Sequence, residues 1–332
     1  MKMLLLLSLA GLLLVTAITG CPAPKETSIG MAVEFMDHAA CAYISQDKGW
    51  FEEAGLKLTA YESYVTGMAL ASALARDEIE VAYVCLVPAI NVYTNGGVPI
   101  KVVAGTHKHG YGLVVDPAKI KTPSDLEKPG IRLGCVREGG AVDVLMHKTI
   151  DSYALDEARI LGNTRRMNPP QLVLTIKTGQ LDAAFLPEQW ATMAEELGFN
   201  MLLMSQDVWP DMQGSVLVVK QDLIDTHPEI VRELVNVSRR ATVWINERPA
   251  EAAEVVAGQM QAAAGETEAA GAASSLEITP EVLLRSMGRM EYTTDIVPDI
   301  VQETIDYIAS LGYIKSRFSA ADILDLTFLE AQ

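Results

Sequence analysis

Short apolar segments alternate with amphipathic ones along the chain from residue 29 onward. In the first part this pattern predicts strands at 28–33, 56–60, 80–84 and 100–104, with helices at 39–54 and 67–75. A second series follows, with strands at 111–115, 131–134, 182–186, 201–204 and 215–219 and helices at 141–150, 169–178 and 188–197. Alternation of this kind indicates an α/β protein whose sheets are largely parallel.

The last third of the chain is predicted to be helical. Thr226 and Glu229 have the spacing of a capping box, and Pro228 falls in the first turn of the helix that follows. The apolar stripe of that helix is Ile230, Leu234, Val237, Ala241 and Trp244. Trp50 and Trp244 are expected in the core. Residues 257–275 are rich in Ala, Gly and Glu and are predicted to form a mobile surface insertion without chemistry.

The two series resemble each other at a constant spacing of 102 residues. The matched positions are Leu70, Leu74, Ile79, Glu80, Ala82 and Tyr83 with Leu172, Ile176, Leu181, Asp182, Ala184 and Phe185. One explanation is chance similarity between two helix–strand units. The other is a duplication, which gives two similar lobes that face each other. Because ligands bind outside the carboxyl ends of strands in α/β sheets, a duplication places one site in the cleft between the lobes.

The first residues resemble a lipoprotein signal peptide. Lys2 is followed by a 3–15 segment that is almost purely apolar and too short to span a bilayer. The segment ends in Ile18-Thr19-Gly20-Cys21, which resembles a lipobox. This predicts a signal at 1–20, lipidation of Cys21, a flexible tether at 21–27, and an extracytoplasmic protein held at the membrane by lipid. The alternatives are an ordinary signal peptide or a short anchor helix.

Composition narrows the classes of partner. At roughly one domain per 150 residues, the 332 residues suggest two domains. The formal net charge of -17 argues against nucleic acid as a partner and requires a locally positive pocket for any anionic ligand. Past Cys21, three cysteines remain at 41, 85 and 135, without close metal-ligand spacing. At most one disulfide can form among them, and we expect all three to be free.

Several segments, taken in order, carry a resemblance to a known family. They are Asp37-His38-Ala39 with Lys48-Gly49-Trp50-Phe51-Glu52-Glu53-Ala54-Gly55-Leu56, Ile79-Glu80-Val81-Ala82-Tyr83-Val84 with Pro88-Ala89, Val98-Pro99-Ile100-Lys101-Val102-Val103-Ala104, and Trp244-Ile245-Asn246-Glu247 with Pro249. With these segments in this order, the chain resembles periplasmic binding proteins of the sulfonate, taurine, nitrate and thiamine-precursor type. These proteins are the substrate-capturing components of ABC importers.

The resemblance implies a two-lobed fold of the type II, Venus-flytrap kind, in which each lobe is a mixed, mostly parallel sheet flanked by helices. Lobe 1 would hold residues 28–106 and 216–332, and lobe 2 residues 107–215. Crossovers near 106–111 and 212–216 would form the hinge.

The resemblance also implies a function without catalysis or cofactor. A monomer would capture a small organic solute, either sulfonate- or taurine-like or a polar heterocycle, and deliver it to the permease of an ABC importer. One alternative is an enzyme of the same fold, of the thiamine-pyrimidine or menaquinone biosynthesis type. The lipobox and the lack of a GxSxG motif argue against it. Another is a metal- or cofactor-binding protein that uses Cys41, Cys85, His38 and the hinge histidines.

The loop after the first predicted strand should face the cleft. Phe35, Asp37 and His38 of this loop are candidate ligand residues, and Asp37 and His38 can hydrogen-bond a solute. The alternative is that Asp37 caps the following helix and His38 packs against the same turn.

Two further loops of lobe 1 supply candidates. Thr66 and Gly67 precede a helix, where free amides let a ligand approach the backbone. Tyr64 would stack on the ligand or only cover the loop. Cys85 follows a strand and is expected near the cleft, although a buried, inert thiol is the alternative.

The predicted hinge, Thr106-His107-Lys108-His109-Gly110, collects positive character in an acidic protein, and His107 and His109 are its candidate ligand residues. One of them is expected to reach the cleft. Their spacing of two residues is compatible with a metal site, but no acidic or thiol partner is close in sequence, and we predict no metal there.

In lobe 2, Arg137, Glu138, Gly139 and Gly140 stand between a strand and a helix. The glycines permit close backbone approach, the helix amides favour an anion, and Arg137 can bind a sulfonate, carboxylate or phosphate. Glu138 would oppose an anion unless it faces an amine. The alternative is a solvated turn.

Three more candidates lie further along lobe 2. Glu188 belongs to a segment that resembles the family's cleft loop, and its carboxylate could accept a hydrogen bond from an amine or ring nitrogen. Trp190 of the same segment would contact the ligand or pack its helix. Trp209 lies in a loop beside the return crossover, where a ligand contact would explain a tryptophan.

Overall fold

The computed structural model describes residues 28–76, 79–265 and 270–330. The predicted signal segment, Cys21 and the tether at 22–27 lie outside these ranges. The strands are β1 Ser28–Glu34, β2 Lys57–Tyr64, β3 Val81–Cys85, β4 Ile100–Gly105, β5 His107–Lys108, β6 Tyr111–Val115, β7 Leu133–Cys135, β8 Thr164–Arg166, β9 Ala183–Pro187, β10 Asn200–Met204, β11 Ser215–Lys220 and β12 Glu291–Tyr292.

Helices cover both sheets. They are α1 Ala40–Asp47, α2 Trp50–Glu53, α3 Gly67–Leu74, α4 Leu86–Thr94, α5 Ala141–Tyr153, α6 Glu157–Asn163, α7 Pro169–Lys177, α8 Glu188–Glu196, α9 Ser205–Val208, α10 Gln221–Thr226, α11 Pro228–Glu247, α12 Pro249–Ala263, α13 Ala270–Ala273, α14 Pro280–Met287, α15 Pro298–Ser310 and α16 Ala320–Ile323. Short 3₁₀ turns lie at Asp37–Ala39, Pro123–Glu127 and Leu326–Leu329.

Two five-stranded sheets form the centres of the two lobes. The first has the order β2-β1-β3-β11-β4, and the second has the order β8-β7-β9-β6-β10. In each sheet four strands run in one direction, and one strand, β11 or β6, runs against its neighbours. The prediction of two α/β lobes with mixed, mostly parallel sheets is confirmed.

Equivalent strands keep the spacing of 102 residues that the sequence shows. Met31 pairs with Val81 in the first sheet, and Leu133 pairs with Ala183 in the second. A side-chain clip is repeated as well: the Glu80 carboxylate accepts from the Gly30 N–H at 2.6 Å, and the Asp182 carboxylate accepts from the Arg132 N–H at 2.9 Å. The matched strand order and register favour duplication over chance similarity.

Two predicted helix features are wrong. The helix predicted at 39–54 is broken, because Gly49 takes a left-handed conformation with φ of 68° and separates α1 from α2. The capping box before α11 is not formed, since the Thr226 hydroxyl donates to the Asp222 carbonyl at 2.6 Å. Instead, the Glu229 carboxylate is hydrogen-bonded to His227, the N-cap residue.

Most of the expected core is in place. Trp50 is 8% exposed, while Trp244 is half-buried, and the two rings meet edge to face at 6.3 Å. The expectation of a mobile insertion is wrong for 257–263, because Ala257 and Met260 belong to α12 and are buried. Cys41, Cys85 and Cys135 are free and buried, as expected.

The chain crosses between the lobes at 106–110 and again before β11. The two crossings pair with each other: the His109 N–H donates to the Met212 carbonyl at 2.9 Å, and the Gly214 N–H donates to the His107 carbonyl at 3.1 Å. β12 adds a third segment by pairing with β5. None of the helices in the described ranges is long and apolar enough to cross a bilayer.

Candidate functional site

A cavity lies between the lobes at the carboxyl ends of their strands. Its empty space, mouth included, is about 400 Å³. Lobe 1 contributes Glu34, Thr66, Gly67 and Cys85 to the wall, and lobe 2 contributes Val136, Arg137, Gly140, Pro169 and Pro187. Thr66, Gly67, Cys85, Arg137 and Gly140 were predicted as ligand residues, and the structure brings them together here.

Glu34, the last residue of β1, forms the floor of the cavity. Its side chain is buried, and one carboxylate oxygen, Oε2, accepts from the Cys85 thiol at 2.8 Å. The other oxygen, Oε1, has no hydrogen-bond partner. Burial raises the pKa of Glu34 to about 7. A buried carboxyl oxygen without a partner costs free energy, and a ligand donor can satisfy it.

Gly67 makes room for this carboxyl. A Cβ at Gly67 would lie 2.0 Å from Glu34 Oε1 and 2.7 Å from Pro88 Cγ. Thr66 caps α3 by accepting from the Ala69 N–H at 3.3 Å, so α3 begins at the cavity wall.

Cys85 lies at the centre of a buried hydrogen-bond network. Its sulfur accepts from the Tyr111 hydroxyl at 3.0 Å, and the Ser215 hydroxyl is 3.5 Å away. His38 Nδ1 is 3.7 Å from the same sulfur, and Nε2 is 2.8 Å from the Gly110 carbonyl oxygen. Burial raises the pKa of Cys85 well above its usual value and lowers the pKa of His38 to about 3, so both groups are neutral.

The mouth of the cavity belongs to lobe 2. Arg137 is exposed there, and within the described ranges its guanidinium has no ion pair or hydrogen bond. Gly140 is the N-cap of α5 and also lines the cavity. Gly139 lies just outside, where its carbonyl accepts from Asn91 of lobe 1 at 3.2 Å. Glu138 is exposed and does not line the cavity.

Asp37 and Glu188 were predicted to contact the ligand, but the structure places them in contacts between the lobes. The Asp37 N–H donates to Gln189 Oε1 at 2.5 Å, and its carboxylate accepts from the Ser286 hydroxyl. Burial, with the charge of Glu188, raises the pKa of Asp37 to about 7. The Glu188 carboxylate accepts from the Arg289 guanidinium at 3.0 Å, while burial raises its pKa. Asp37 does not cap a helix either.

None of the predicted aromatic contacts lines the cavity. The Tyr64 hydroxyl donates to Glu62, and the buried Trp190 packs 6.1 Å from the ring of Phe35. Trp209 is 2% exposed and meets the Tyr307 ring at 5.6 Å. The prediction for Trp209 failed because the aromatic partner that buries it lies far along the chain.

The hinge histidines are structural. His107 is fully buried, and its Nε2 accepts from the Ser215 N–H at 3.2 Å. His109 is half-buried in a left-handed conformation with φ of 65°. Burial lowers the pKa of both, so they do not supply the expected positive charge. Neither lines the cavity.

Sequence reasoning missed Glu34 and Tyr111. Glu34 stood at the start of the candidate loop, but an acidic residue after an apolar strand is usually solvated. Its position in the sequence could have identified it, because the last residue of a strand in a parallel sheet lies at the edge of the sheet where ligands bind. Glu34, His38 and Cys85 also each offer one possible metal-ligating atom within 4.8 Å of the others.

Proteins of known function are similar to this chain in sequence. The nitrate/nitrite binding protein NrtA of Synechococcus elongatus is 24% identical over 266 residues, which are 69% of this chain and 59% of that protein. The nitrate import ATP-binding protein NrtC of a Synechocystis strain is 23% identical over 66% of this chain and 35% of its own length. The chain thus spans under two thirds of these curated relatives.

A solved structure shows the same fold over nearly the whole chain. The alkanesulfonate-binding protein SsuA of Xanthomonas axonopodis pv. citri, bound to MOPS, superposes with a TM-score of 0.74 at 13% identity. The match covers 92% of this chain and 100% of SsuA. The two lobes are those of a periplasmic binding protein, which confirms the resemblance seen in the sequence. The family model of the NMT1-like family matches residues 22–259, and this chain belongs to that family.

Proposed function

We propose that this protein captures a small organic solute in the cavity between its lobes and delivers it to an ABC importer. The observation that carries the proposal is the buried Glu34 carboxyl, whose Oε1 faces the cavity wall at Gly67 without a partner. Membership in the NMT1-like family and the likeness to NrtA and SsuA support a role in solute capture. No group transfer is required of any residue in this role.

The cavity favours a solute with two unlike ends. At the floor, Glu34 can accept a hydrogen bond from an amine or a ring nitrogen. At the mouth, Arg137 and the amino end of α5 favour an anionic or acceptor group. The wall between them is largely apolar, with Val136, Pro169 and Pro187 on lobe 2. A taurine-like zwitterion or a polar heterocycle uses both ends.

A small inorganic anion fits less well, although relatives are named for nitrate and bicarbonate transport. An anion at the floor would force Glu34 to stay protonated, because two like charges at short range repel strongly. Such an anion would also leave the apolar wall unused. We therefore propose an organic solute for this chain.

Delivery requires a membrane complex and a means of staying near it. The likeness to NrtC supports an ABC transporter as the partner, and we propose that the permease receives the solute from this chain. The lipobox supports lipidation at Cys21 and an extracytoplasmic location, and we propose that the protein acts as a monomer. A Cys21→Ser variant should move to the soluble fraction and lose lipid label. If the variant and the wild type partition identically, and the wild type carries no lipid label, the proposal of a lipid anchor is wrong.

The central experiment is a search for the solute. Native mass spectrometry of the purified protein should reveal a bound small molecule that is released unchanged on unfolding. A thermal-shift panel of taurine, MOPS, hydroxymethylpyrimidine, nitrate and bicarbonate should give its largest rise with an organic member. At a hundredfold excess over Kd, binding adds about 2.7 kcal/mol to the free energy of unfolding. Stabilisation by nitrate or bicarbonate alone would overturn the organic assignment.

Closure can be followed separately. Paired spectroscopic probes near Thr66 of lobe 1 and Gly140 of lobe 2, which both line the cavity, should come closer when the stabilising solute is added. An unchanged distance at saturating solute would contradict capture by lobe closure. A chemically altered solute in the mass spectrum would favour an enzyme instead.

A further inference from the structure

We propose that Glu34, His38 and Cys85 form a binding site for a zinc-class divalent cation at the floor of the cavity. One carboxylate oxygen, one imidazole nitrogen and the sulfur lie within 4.8 Å of one another. All three side chains are buried. A sulfur, a nitrogen and an oxygen from three residues form a donor set that suits Zn²⁺.

The histidine is oriented for such a site. His38 Nε2 lies 2.8 Å from the Gly110 carbonyl oxygen, which can only accept, so Nε2 carries the proton. The lone pair is therefore on Nδ1, the atom that faces the Cys85 sulfur at 3.7 Å. Metal-ligating histidines usually hold their second nitrogen in this way, by donation to a carbonyl or carboxylate.

Two hydroxyl groups lie close to the Cys85 sulfur. The Tyr111 hydroxyl donates to it at 3.0 Å, and the Ser215 hydroxyl lies 3.5 Å away. Both can stabilise a thiolate once the ion is bound. When the ion binds, the thiol proton leaves to solvent and sulfur coordinates as the thiolate, so the step needs no oxidant.

The two distances from the Cys85 sulfur fit a tetrahedral site after a small adjustment. Bond lengths of about 2.3 Å to sulfur and about 2.0 Å to nitrogen or oxygen place tetrahedral ligand atoms roughly 3.3–3.6 Å apart. The sulfur-to-nitrogen distance of 3.7 Å already matches. The sulfur-to-carboxylate distance of 2.8 Å must open by several tenths of an ångström, as expected when a metal replaces a hydrogen bond.

The unpartnered Glu34 Oε1, the atom that the proposed function assigns to a solute donor, also fits a missing ion, since a buried carboxylate oxygen is rarely left unsatisfied. Because Glu34 and Cys85 line the cavity, the fourth coordination position would face it. Water or a basic solute atom can occupy that position, as in metal sites that keep one position open. The ion site goes beyond solute capture and competes with it at Glu34, because a carboxylate that holds the ion cannot also accept a hydrogen bond from an amine of the solute.

Cobalt(II) titration of the metal-stripped protein tests the site, because a thiolate ligand to Co²⁺ gives an intense charge-transfer absorption. We expect saturation at one equivalent and displacement by Zn²⁺. Cys85→Ser should abolish the thiolate band. Glu34→Gln and His38→Gln should weaken Co²⁺ binding by about tenfold or more. Cys135→Ser is the matched control, since Cys135 is also a buried free cysteine but neither lines the cavity nor belongs to the cluster.

Several results would overturn the proposal: no thiolate band in the wild type, a band that survives Cys85→Ser, or a band lost in Cys135→Ser. If Cys85→Ser does not fold, the isosteric Glu34→Gln variant tests the site instead, since Zn²⁺ should raise its Tm clearly less than that of the wild type. An equal rise in both would overturn the site. The rise in Tm that the solute causes in the presence of a chelator tests the proposed function, independently of the result with metal.

Discussion

The two lobes share one backbone plan but divide the chemistry unequally. Three pairs of positions 102 residues apart line the cavity, and they are Glu34 and Val136, Gly67 and Pro169, and Cys85 and Pro187. The lobe 1 member is a carboxyl, a glycine that admits it, or a thiol. The lobe 2 member is apolar each time. At these positions the polar groups of the cavity wall therefore belong to lobe 1, while lobe 2 adds Tyr111 beside Cys85 and Arg137 at the mouth.

At the side-chain clip that both lobes repeat, lobe 2 has more charged groups than lobe 1. In lobe 1, Glu80 accepts from the Gly30 N–H. In lobe 2, Asp182 accepts from the Arg132 N–H and also from its guanidinium, at 2.8 Å to each oxygen, and Lys119 joins them. Lobe 2 thus uses charge to stabilise itself, whereas lobe 1 keeps a buried carboxyl available to a ligand.

Gly67→Val should have the largest effect on solute binding. Its Cβ would collide with the Glu34 carboxyl at 2.0 Å, so we expect at least a hundredfold loss of affinity, about 2.7 kcal/mol. Isothermal titration with the most stabilising solute of the panel measures it. Pro169→Ala at the matching position of lobe 2 should change affinity by less than about threefold. Gly258→Val, where a Cβ meets nothing within 4 Å, controls for the glycine-to-valine change. Equal losses at Gly67 and Pro169 would remove the distinction between the lobes.

Asp182→Asn should lower the free energy of unfolding by about 2 kcal/mol, because two cations lose their buried carboxylate partner. Lys119 and Arg132 are partly exposed, so the loss of stability should be smaller than for a fully buried ion pair. Glu80→Gln should cost about 1 kcal/mol, since only one hydrogen bond is weakened. Urea unfolding at pH 7 measures both. A larger loss for Glu80→Gln would contradict the assignment of the stronger clip to lobe 2.

The same pair predicts a pH dependence. The Arg132 guanidinium holds the pKa of Asp182 well below its usual range. Its stabilising contribution is therefore complete above the unfolded pKa of about 4 and is lost as the pH falls below that value. Between pH 5 and pH 3 the wild type should lose more stability than Asp182→Asn, as urea unfolding at each pH would show. Parallel curves for the two proteins would contradict this prediction.

Glu34→Gln should weaken solute binding by about tenfold, since an amide keeps the shape of the carboxyl but loses its charge. Val136→Ala, at the matching position of lobe 2, should cost less than about threefold. Titration of both variants with the same solute gives the comparison. Unchanged affinity in Glu34→Gln would show that the solute does not use the floor of the cavity.

Arg137→Ala should have the smallest effect, about threefold to fivefold in Kd, because the guanidinium is exposed to solvent. The loss should shrink at high salt, since screening weakens exposed charges. Glu138→Ala is the control, being equally exposed but outside the cavity wall. A loss that does not respond to salt would indicate a buried contact to the solute instead.

Much of the fold follows from local pattern. Apolar runs located the strands of both sheets except β8, whose residues Thr164–Arg166 are polar, and β6 was predicted with the bounds observed. The spacing of 102 residues pointed to two similar lobes because helix–strand units carry their periodicity in the sequence. Gly49 shows where this reasoning stops: an amphipathic pattern continued through it, but the left-handed turn depends on the packing of α1 and α2.

Site residues were predictable where the backbone alone positions them. Thr66, Gly67, Cys85 and Gly140 follow strands or begin helices, and they line the cavity. Glu188 could not be assigned in this way, because its partner Arg289 is remote in sequence. Side chains whose role depends on one distant partner leave no local pattern, which is also why Trp209 was misjudged.

The insertion of β11 between β3 and β4 affects the order in which the chain can fold. Every strand of the second sheet lies within residues 111–204, so lobe 2 can be complete early in synthesis. The first sheet stays divided into β2-β1-β3 and a separate β4 until residues 215–220 emerge. The lobe that opens the chain is therefore the last to close its sheet. Until then the free edge of β3 is open to pairing with other chains, so a chain cut short before β11 should aggregate.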